Sequence, residues 1–196
     1  ITNLSDITRF RIKNSLGKHF RNEVLKIFDE PLIVYAGALG RINNVLYLVE
    51  IAYESYRSGY KNKFLIVGEG YQKKIILNKS KHMGVLNKNL FLLDTFPKNK
   101  LPNILSAATL TSSLFVDLPE MENNSANKFF DGLAAGKPIM INYKGWQADL
   151  LRKSGAGFII PNNDPIKANI IINDVVNDKN RMNKMALQSK QISKKF

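Results

Sequence analysis

The sequence contains no cysteine, which excludes a disulfide framework and a thiolate metal site. It has two histidines, His19 and His82, and neither has a partner at metal-ligand spacing. There is one tryptophan, Trp146. No apolar run approaches the roughly 18 residues of a membrane-spanning helix. Acidic residues are also scarce: 16 Asp and Glu stand against 29 Lys and Arg, for a net charge of +13. Such a surplus suits nucleic acid, anionic lipid or an anionic substrate. The cations are spread along the chain, without a basic block or an interleaved aromatic platform, so nucleic acid is not an expected partner. A peripheral contact with the inner leaflet of a membrane, from a cytoplasmic location, fits the charge better. Abundant Lys, Asn and Ile are also what an AT-rich genome encodes. No signal peptide is visible, and the chain starts mid-pattern at Ile1, so a piece of a longer protein is expected. What is present, 196 residues with 44% apolar, suffices for one α/β domain with a full core.

The stretch from Asp117 to Pro138 organises the rest. A short apolar strand, Leu114 to Val116, enters a polar loop, and the loop enters a helix that stops at Gly136 with Pro138 two residues on. Ser125 and Asn127 are both suitable N-cap residues, and Phe130, Leu133 and Ala134 share one apolar face. Lys128 then sits in the first turn, where the helix dipole disfavours a cation. A bound anion resolves the conflict, because free N–H groups and an ammonium converge there. Asp131 follows one turn later on the same side. Lysine to a diphosphate and carboxylate to a ribose suit a nucleotide; an exposed Lys128–Asp131 ion pair is the plain alternative.

"SANKFFDGLAAGKPIM" resembles the donor-binding signature of family 4 retaining glycosyltransferases of the GT-B fold, whose helix reads K-x-F-E-x-[LM]-A-x-G-x-P. Within that family the resemblance is nearest to bacterial surface-polysaccharide transferases that use UDP-linked amino sugars. Two departures stand out. The helix glutamate is Asp131, and its partner eight positions earlier falls on Asn123, with Glu122 adjacent.

In chain order, Ile1 to Phe10 resembles the hinge segment of GT-B enzymes. Asn14 to Phe28 has a helical stripe of Leu16, Phe20, Val24 and Ile27. Leu32 to Ala36 reads as a buried strand, followed by Gly37, Gly40 and Arg41, where backbone can approach a phosphate. Asn44 to Ser58 is an amphipathic helix with Val45, Leu48, Val49, Ala52 and Tyr56 inward. The family's diphosphate clamp, an Arg and a Lys, falls on Ala38 and Asn43, which leaves Arg41 as the cation of that loop. Phe64 to Val67 is the second strand, before Gly68 and Gly70, and a helix follows over about Tyr71 to Met83. Leu90 to Leu93 is the third strand, and Leu101 to Ala108 a helix. Between them Phe96 and Pro97 occupy the place that wraps the nucleotide base in the family, with Thr95 at its glycine position. Phe96 can equally be a core aromatic, and Trp146 can face a sugar or the core. Thr109 to Val116, Ile139 to Asn142 and Gly157 to Ile160 complete the strands, with helices opening at Trp146, Asp164 and Lys179.

The alternation predicts an α/β fold, a Rossmann-like doubly wound parallel sheet of about six strands. The resemblance implies the C-terminal half of a GT-B fold: residues 1–30 as hinge segment and leading helix, 31–178 as the nucleotide-sugar domain, 179–196 as a terminal helix. It implies transfer of a sugar, with retention, from a nucleoside diphosphate sugar such as a UDP-sugar, in capsule, O-antigen or related polysaccharide synthesis. The acceptor, a glycan or lipid-linked glycan, would be held by an N-terminal domain outside this chain. No cofactor and no metal is required. Lys128 and Arg41 neutralise the leaving diphosphate; Asp131 holds the ribose, and Glu122 with Asn124 the sugar. Gly37, Gly40, Phe96, Pro97, Ser125 and Asn127 complete the donor contacts. A UDP-sugar epimerase of the same architecture and a non-catalytic nucleotide-sugar-binding module are the other readings.

Overall fold

The computed structural model describes Phe10 and residues 14–196. The hinge segment expected at Ile1 to Phe10 thus lies outside the described residues, Phe10 excepted. Six strands form one sheet: β1 Leu32–Ala36, β2 Lys63–Val67, β3 Leu90–Leu93, β4 Leu110–Ser113, β5 Ile139–Ile141 and β6 Gly157–Ile159. Their order is β3-β2-β1-β4-β5-β6, and every pairing is parallel. Eight α-helices are described: α1 Asn14–His19, α2 Val45–Arg57, α3 Lys73–His82, α4 Leu101–Ala107, α5 Asn127–Ala134, α6 Trp146–Ser154, α7 Pro165–Asn177 and α8 Lys179–Ser193. This is the doubly wound α/β arrangement expected from the sequence.

Both faces of the sheet are covered, which is why its strands read as unbroken apolar runs rather than alternating ones. Successive side chains of a strand point to opposite faces. Ile33 and Tyr35 of β1 join Phe64 and Ile66 of β2 in a core with α2 and α7. Leu32 and Val34 turn the other way, with Leu65 and Val67, onto Ile104 and Leu105 of α4. Beyond β4, Ile139 and Ile141 pack on Phe129, Phe130 and Leu133 of α5. Each such buried side chain contributes about 1.5–3 kcal/mol relative to exposure.

Three larger differences from expectation stand out. The helix expected over Asn14 to Phe28 breaks after His19 into a π-helical turn, Phe20–Leu25, that ends at Lys26 with φ 54°. Five-residue spacing brings Phe20 and Leu25 inward together and leaves Leu16 and Val24 exposed. Gly17 presses on the α4 backbone, where a Cβ would lie 2.6 Å from the Ser106 carbonyl carbon. Helix α2 buries four of its five expected stripe residues, but Tyr56 is exposed and Tyr47 and Ile51 are buried instead.

The third difference shapes the site. The strand expected to run to Val116 ends at Ser113. At Phe115 the N–H donates to Asn142 Oδ1 at 2.9 Å and the carbonyl accepts from Asn142 Nδ2 at 2.9 Å. A buried side-chain amide thus takes the place of the next ladder step and turns the chain out of the sheet. Asn142→Ala should strand the Phe115 N–H in the core and cost about 2–3 kcal/mol, measured as a lower denaturant midpoint.

The sheet order reverses direction between β1 and β4. In open α/β sheets the ligand crevice lies outside the carboxyl ends of the strands at that switch point. Ala36 and Ser113 end β1 and β4 there, and each opens into one of the two segments singled out in the sequence.

Candidate functional site

The segment after β1 is locked before any ligand arrives. Gly37 N–H donates to Val67 O at 3.0 Å, Leu39 N–H to Glu69 O at 2.8 Å, and Gln72 N–H to Leu39 O at 2.9 Å. The loops after β1 and β2 are therefore zipped together by backbone. Gly68 permits the contact: a Cβ there would sit 2.0 Å from the Gly37 carbonyl oxygen. The Gly68-Glu69-Gly70 pattern, weak as a sequence signal, has a close-approach role. Tyr35 donates from its phenol to Ala38 O at 2.8 Å and fixes the turn from below. Burial pushes that phenol well above its usual range, so it stays a neutral donor. At the next loop, Lys73 pairs with both Glu69 and Asp94, and those carboxylates push its ammonium above the usual range.

Helix α5 starts at Asn127 with Ala126 as its N-cap residue, and no side chain caps it. The capping role expected of Ser125 or Asn127 is thus not realised. A residue that caps must have extended backbone just before the first turn, and Ala126, φ −74° and ψ 125°, holds that position. The helix ends as expected, with Gly136 left-handed at φ 65°. It lies close against β4 because Gly132 has no Cβ to strike Thr111 Oγ1, 2.4 Å from where one would be.

That docking carries Lys128 into an aromatic cage. Its ammonium lies 4.3 Å from the Phe115 ring centroid and 5.6 Å from that of Tyr35. The stem packs beside Gly37. Asn43 completes the cage: with its amide nitrogen donating to Ala38 O at 3.0 Å, its oxygen accepts from Lys128 Nζ at 3.2 Å. The opposite amide orientation gains only a 3.3 Å contact from the Gly40 N–H and would set two donors against each other. Burial lowers the Lys128 ammonium to about 8. The lysine is half-buried, unlike the exposed ion-pair partner that the plain reading required.

A cleft of about 480 Å³ opens over this cage. Gly37, Phe96, Asn127, Lys128 and Asp131 line it, so five expected residues converge. Phe96 is 38% exposed, with its edge on Phe20 at 6.3 Å between centroids, and is both a cleft wall and a core contact. Lys98 also lines the cleft and went unnoticed in the sequence, although it lies two residues beyond Phe96. Asn43, Tyr35 and Phe115 were missed as well. Asn43 stands where the resemblance set the second clamp residue, and that was the available signal.

Other expected residues lie outside the cleft lining. Arg41, in a 3-10 turn at Arg41–Asn43, is exposed and stacks on the Tyr71 ring at 5.1 Å. Gly40 precedes it, at the foot of the same turn. Pro97 is exposed, and its carbonyl accepts from Lys100 N–H at 2.8 Å. Glu122 is exposed in a second 3-10 turn, Pro119–Asn123. Asn124 donates inward to Met121 O and its own carbonyl accepts from Trp146 Nε1 at 2.9 Å. Ser125 is half-buried between that turn and α5. Trp146 packs on Phe129 and Phe130 and is a core residue rather than a cleft wall. Among the described residues no three His, Asp or Glu side chains gather as a metal site. Among them, too, no helix is long and apolar enough to cross a membrane.

A switch-point cleft with a half-buried cation, a carboxylate and a helix N-terminus suits a phosphorylated ligand with hydroxyls. Comparisons with known proteins agree in kind. Residues 18–192 match the family model described as glycosyl transferases group 1. The structure is similar to Anabaena Alr3699/HepE in complex with UDP, with a TM-score of 0.83 at 15% identity, over 98% of this chain and 51% of that one. It is similar to WaaG, a glycosyltransferase involved in lipopolysaccharide biosynthesis, with a TM-score of 0.75 at 14% identity, over 100% of this chain and 51% of that one. The C-terminal domain of the group 1 protein LpcC from Francisella tularensis matches with a TM-score of 0.77 at 12% identity, over 97% of both chains. The chain spans about half the length of HepE and WaaG. No curated protein matches significantly in sequence.

Proposed function

The chain belongs to the group 1 glycosyl transferases, and on that premise we propose that it is the half of the enzyme that holds the sugar nucleotide. The donor is a UDP-linked hexose or N-acetylhexosamine. The observation that carries this reading is the convergence of Lys128, Asp131 and the α5 N-terminus on the cleft beside Gly37. The UDP bound in the Anabaena structure supports uracil as the base.

During transfer the bond from the anomeric carbon to the diphosphate oxygen breaks, and the acceptor hydroxyl oxygen bonds that carbon on the same face of the sugar, its proton passing to the departing diphosphate. Negative charge grows on the departing diphosphate. Lys128 and the free N–H groups at the start of α5 stabilise it, with Lys98 at the rim, and the chemistry needs no metal. Arg41 reaches the diphosphate only after leaving Tyr71, so it serves as an auxiliary cation. Asp131 accepts from the ribose hydroxyls. Glu122, in the turn before the helix, and Asn124, just past it, are assigned to the sugar. The acceptor, a glycan or lipid-linked glycan of a bacterial surface polysaccharide, is held by a preceding domain at the inner face of the membrane.

Calorimetric titration with UDP, GDP, ADP and dTDP tests the reading. UDP should bind most tightly, and Asp131→Ala should weaken it about tenfold, with uracil-only contacts unaffected. Equal affinity for all four, or an indifferent Asp131→Ala, would overturn it.

The pH dependence has a definite sign. Free Lys128 loses its proton near 8, below the ordinary 10.5 of lysine, because burial disfavours the ammonium. UDP affinity should therefore fall as pH rises through about 8. Binding above that point should take up a proton, seen as a buffer-dependent enthalpy. The same lowered value means that the unfolded chain holds more protons between 8 and 10.5, so this residue's contribution to stability rises with pH in that window.

A further inference from the structure

Lys128 and the turn that receives it come from opposite sides of the β1–β4 switch point, and one side chain joins them. Asn43 ends the 3-10 turn after β1 and is 7% exposed. Its backbone is held, because its N–H donates to Gly40 O at 3.1 Å. Its amide is oriented by the Ala38 carbonyl, which also accepts from the Tyr35 phenol at 2.8 Å. With Nδ2 committed to that carbonyl at 3.0 Å, Oδ1 faces Lys128 Nζ at 3.2 Å.

Most of what faces this ammonium is uncharged. Tyr35 of β1 is a neutral phenol, Phe115 after β4 is a hydrocarbon ring, and Gly37 lies beside the lysine stem. Two further charges line the cleft, Asp131 on α5 and Lys98 in the loop before α4, and burial is what lowers the Lys128 pKa. The residue type at 43 therefore matters. A carboxylate there would neutralise the ammonium and repel a diphosphate. A second ammonium would repel the first, and an apolar side chain would take an acceptor from a half-buried cation. A neutral amide oxygen grips the cation and leaves its charge for the ligand.

We propose that Asn43 is a positioning residue for sugar transfer: its side-chain oxygen aims the Lys128 ammonium at the departing diphosphate without cancelling its charge. The inference rests on the sugar-nucleotide reading of the cleft, and Asn43 acts through Lys128 rather than on the ligand.

The test follows the lysine Cε NMR signals of the free protein through pH, with Lys128 identified as the signal missing from Lys128→Met. UDP titrations at neutral pH run beside it. In the wild type the Lys128 signal should titrate at about 8. Asn43→Asp should raise that midpoint by about 1 in pH or more, since an adjacent opposite charge favours the ammonium. It should also weaken UDP about tenfold, because the new carboxylate competes for the same cation. Asn43→Leu should lower the midpoint by about 1 in pH, through loss of a charge-assisted bond, and move the fall in UDP affinity to lower pH with it. Asn43→Asp is nearly isosteric and decides alone where Asn43→Leu fails to fold. A side chain that only fills space would lower UDP affinity in both variants without moving the midpoints in opposite directions. Midpoints unchanged, or moved the same way, would overturn the proposal. Opposite movements in a protein that binds no UDP would overturn the sugar-nucleotide reading, and the proposal with it, while leaving the Asn43–Lys128 contact in place.

Discussion

Replacing Lys128 with methionine should lower UDP affinity about tenfold or more while changing stability by no more than about 1 kcal/mol. Two effects oppose each other in the free protein. The ammonium gains from the Phe115 and Tyr35 rings at 4.3 and 5.6 Å and from the Asn43 amide. It loses hydration, and that loss is large enough to bring its pKa down to about 8. Methionine retains the apolar stem between the rings and removes both the gain and the penalty. A diphosphate reverses the balance, because it supplies the counter-charge in a partly desolvated place where one charge-assisted bond is worth about 1.5–3 kcal/mol. Calorimetric titration beside thermal melting separates the two readouts. Arg41→Ala, whose guanidinium rests on Tyr71 outside the cleft, should have the smaller effect. Full UDP affinity in Lys128→Met would remove this lysine from the site.

Gly68→Ala should cost about 3 kcal/mol or more and abolish donor binding with it. The added Cβ would lie 2.0 Å from the Gly37 carbonyl oxygen and 3.3 Å from Leu39 Cδ2. The nearer atom belongs to backbone that hydrogen bonds pin on both sides, so it cannot yield as a flexible side chain would. Relief comes only by parting the loops after β1 and β2, which displaces Gly37 from Lys128. Urea unfolding of the variant measures the cost. A variant with wild-type stability would mean that the two loops are not locked together.

The sequence was most informative where a single segment decides the outcome. Leu32–Ala36 and Leu90–Leu93 are short apolar runs flanked by polar residues, and both form strands with those limits. The Lys128-to-Pro138 pattern carried a helix, its glycine stop and two residues of the cleft. What stayed hidden depends on partners far apart in the chain. Nothing local to Phe115 says that Asn142 will take its backbone groups, so the fourth strand was read too long. Nothing local to Phe20 says that Gly17 will press on α4, so a π turn was read as regular helix. Arg41 was favoured as the only cation of its loop, yet the cation beside Asn43 is Lys128, from the other side of the switch point. Caps failed for a related reason: Ser125 and Asn127 have the right chemistry, but the chain reaches its first helical turn one residue away from each.

The most direct measurement is an amide-resolved NMR titration of the protein with UDP. Saturable shifts should concentrate in residues 37–43, 95–98 and 126–131, around the cleft, and should vanish in Lys128→Met at the same UDP concentrations. Saturable shifts elsewhere, or no shift at any residue, would contradict the assignment of the β1–β4 switch-point cleft as the sugar-nucleotide site.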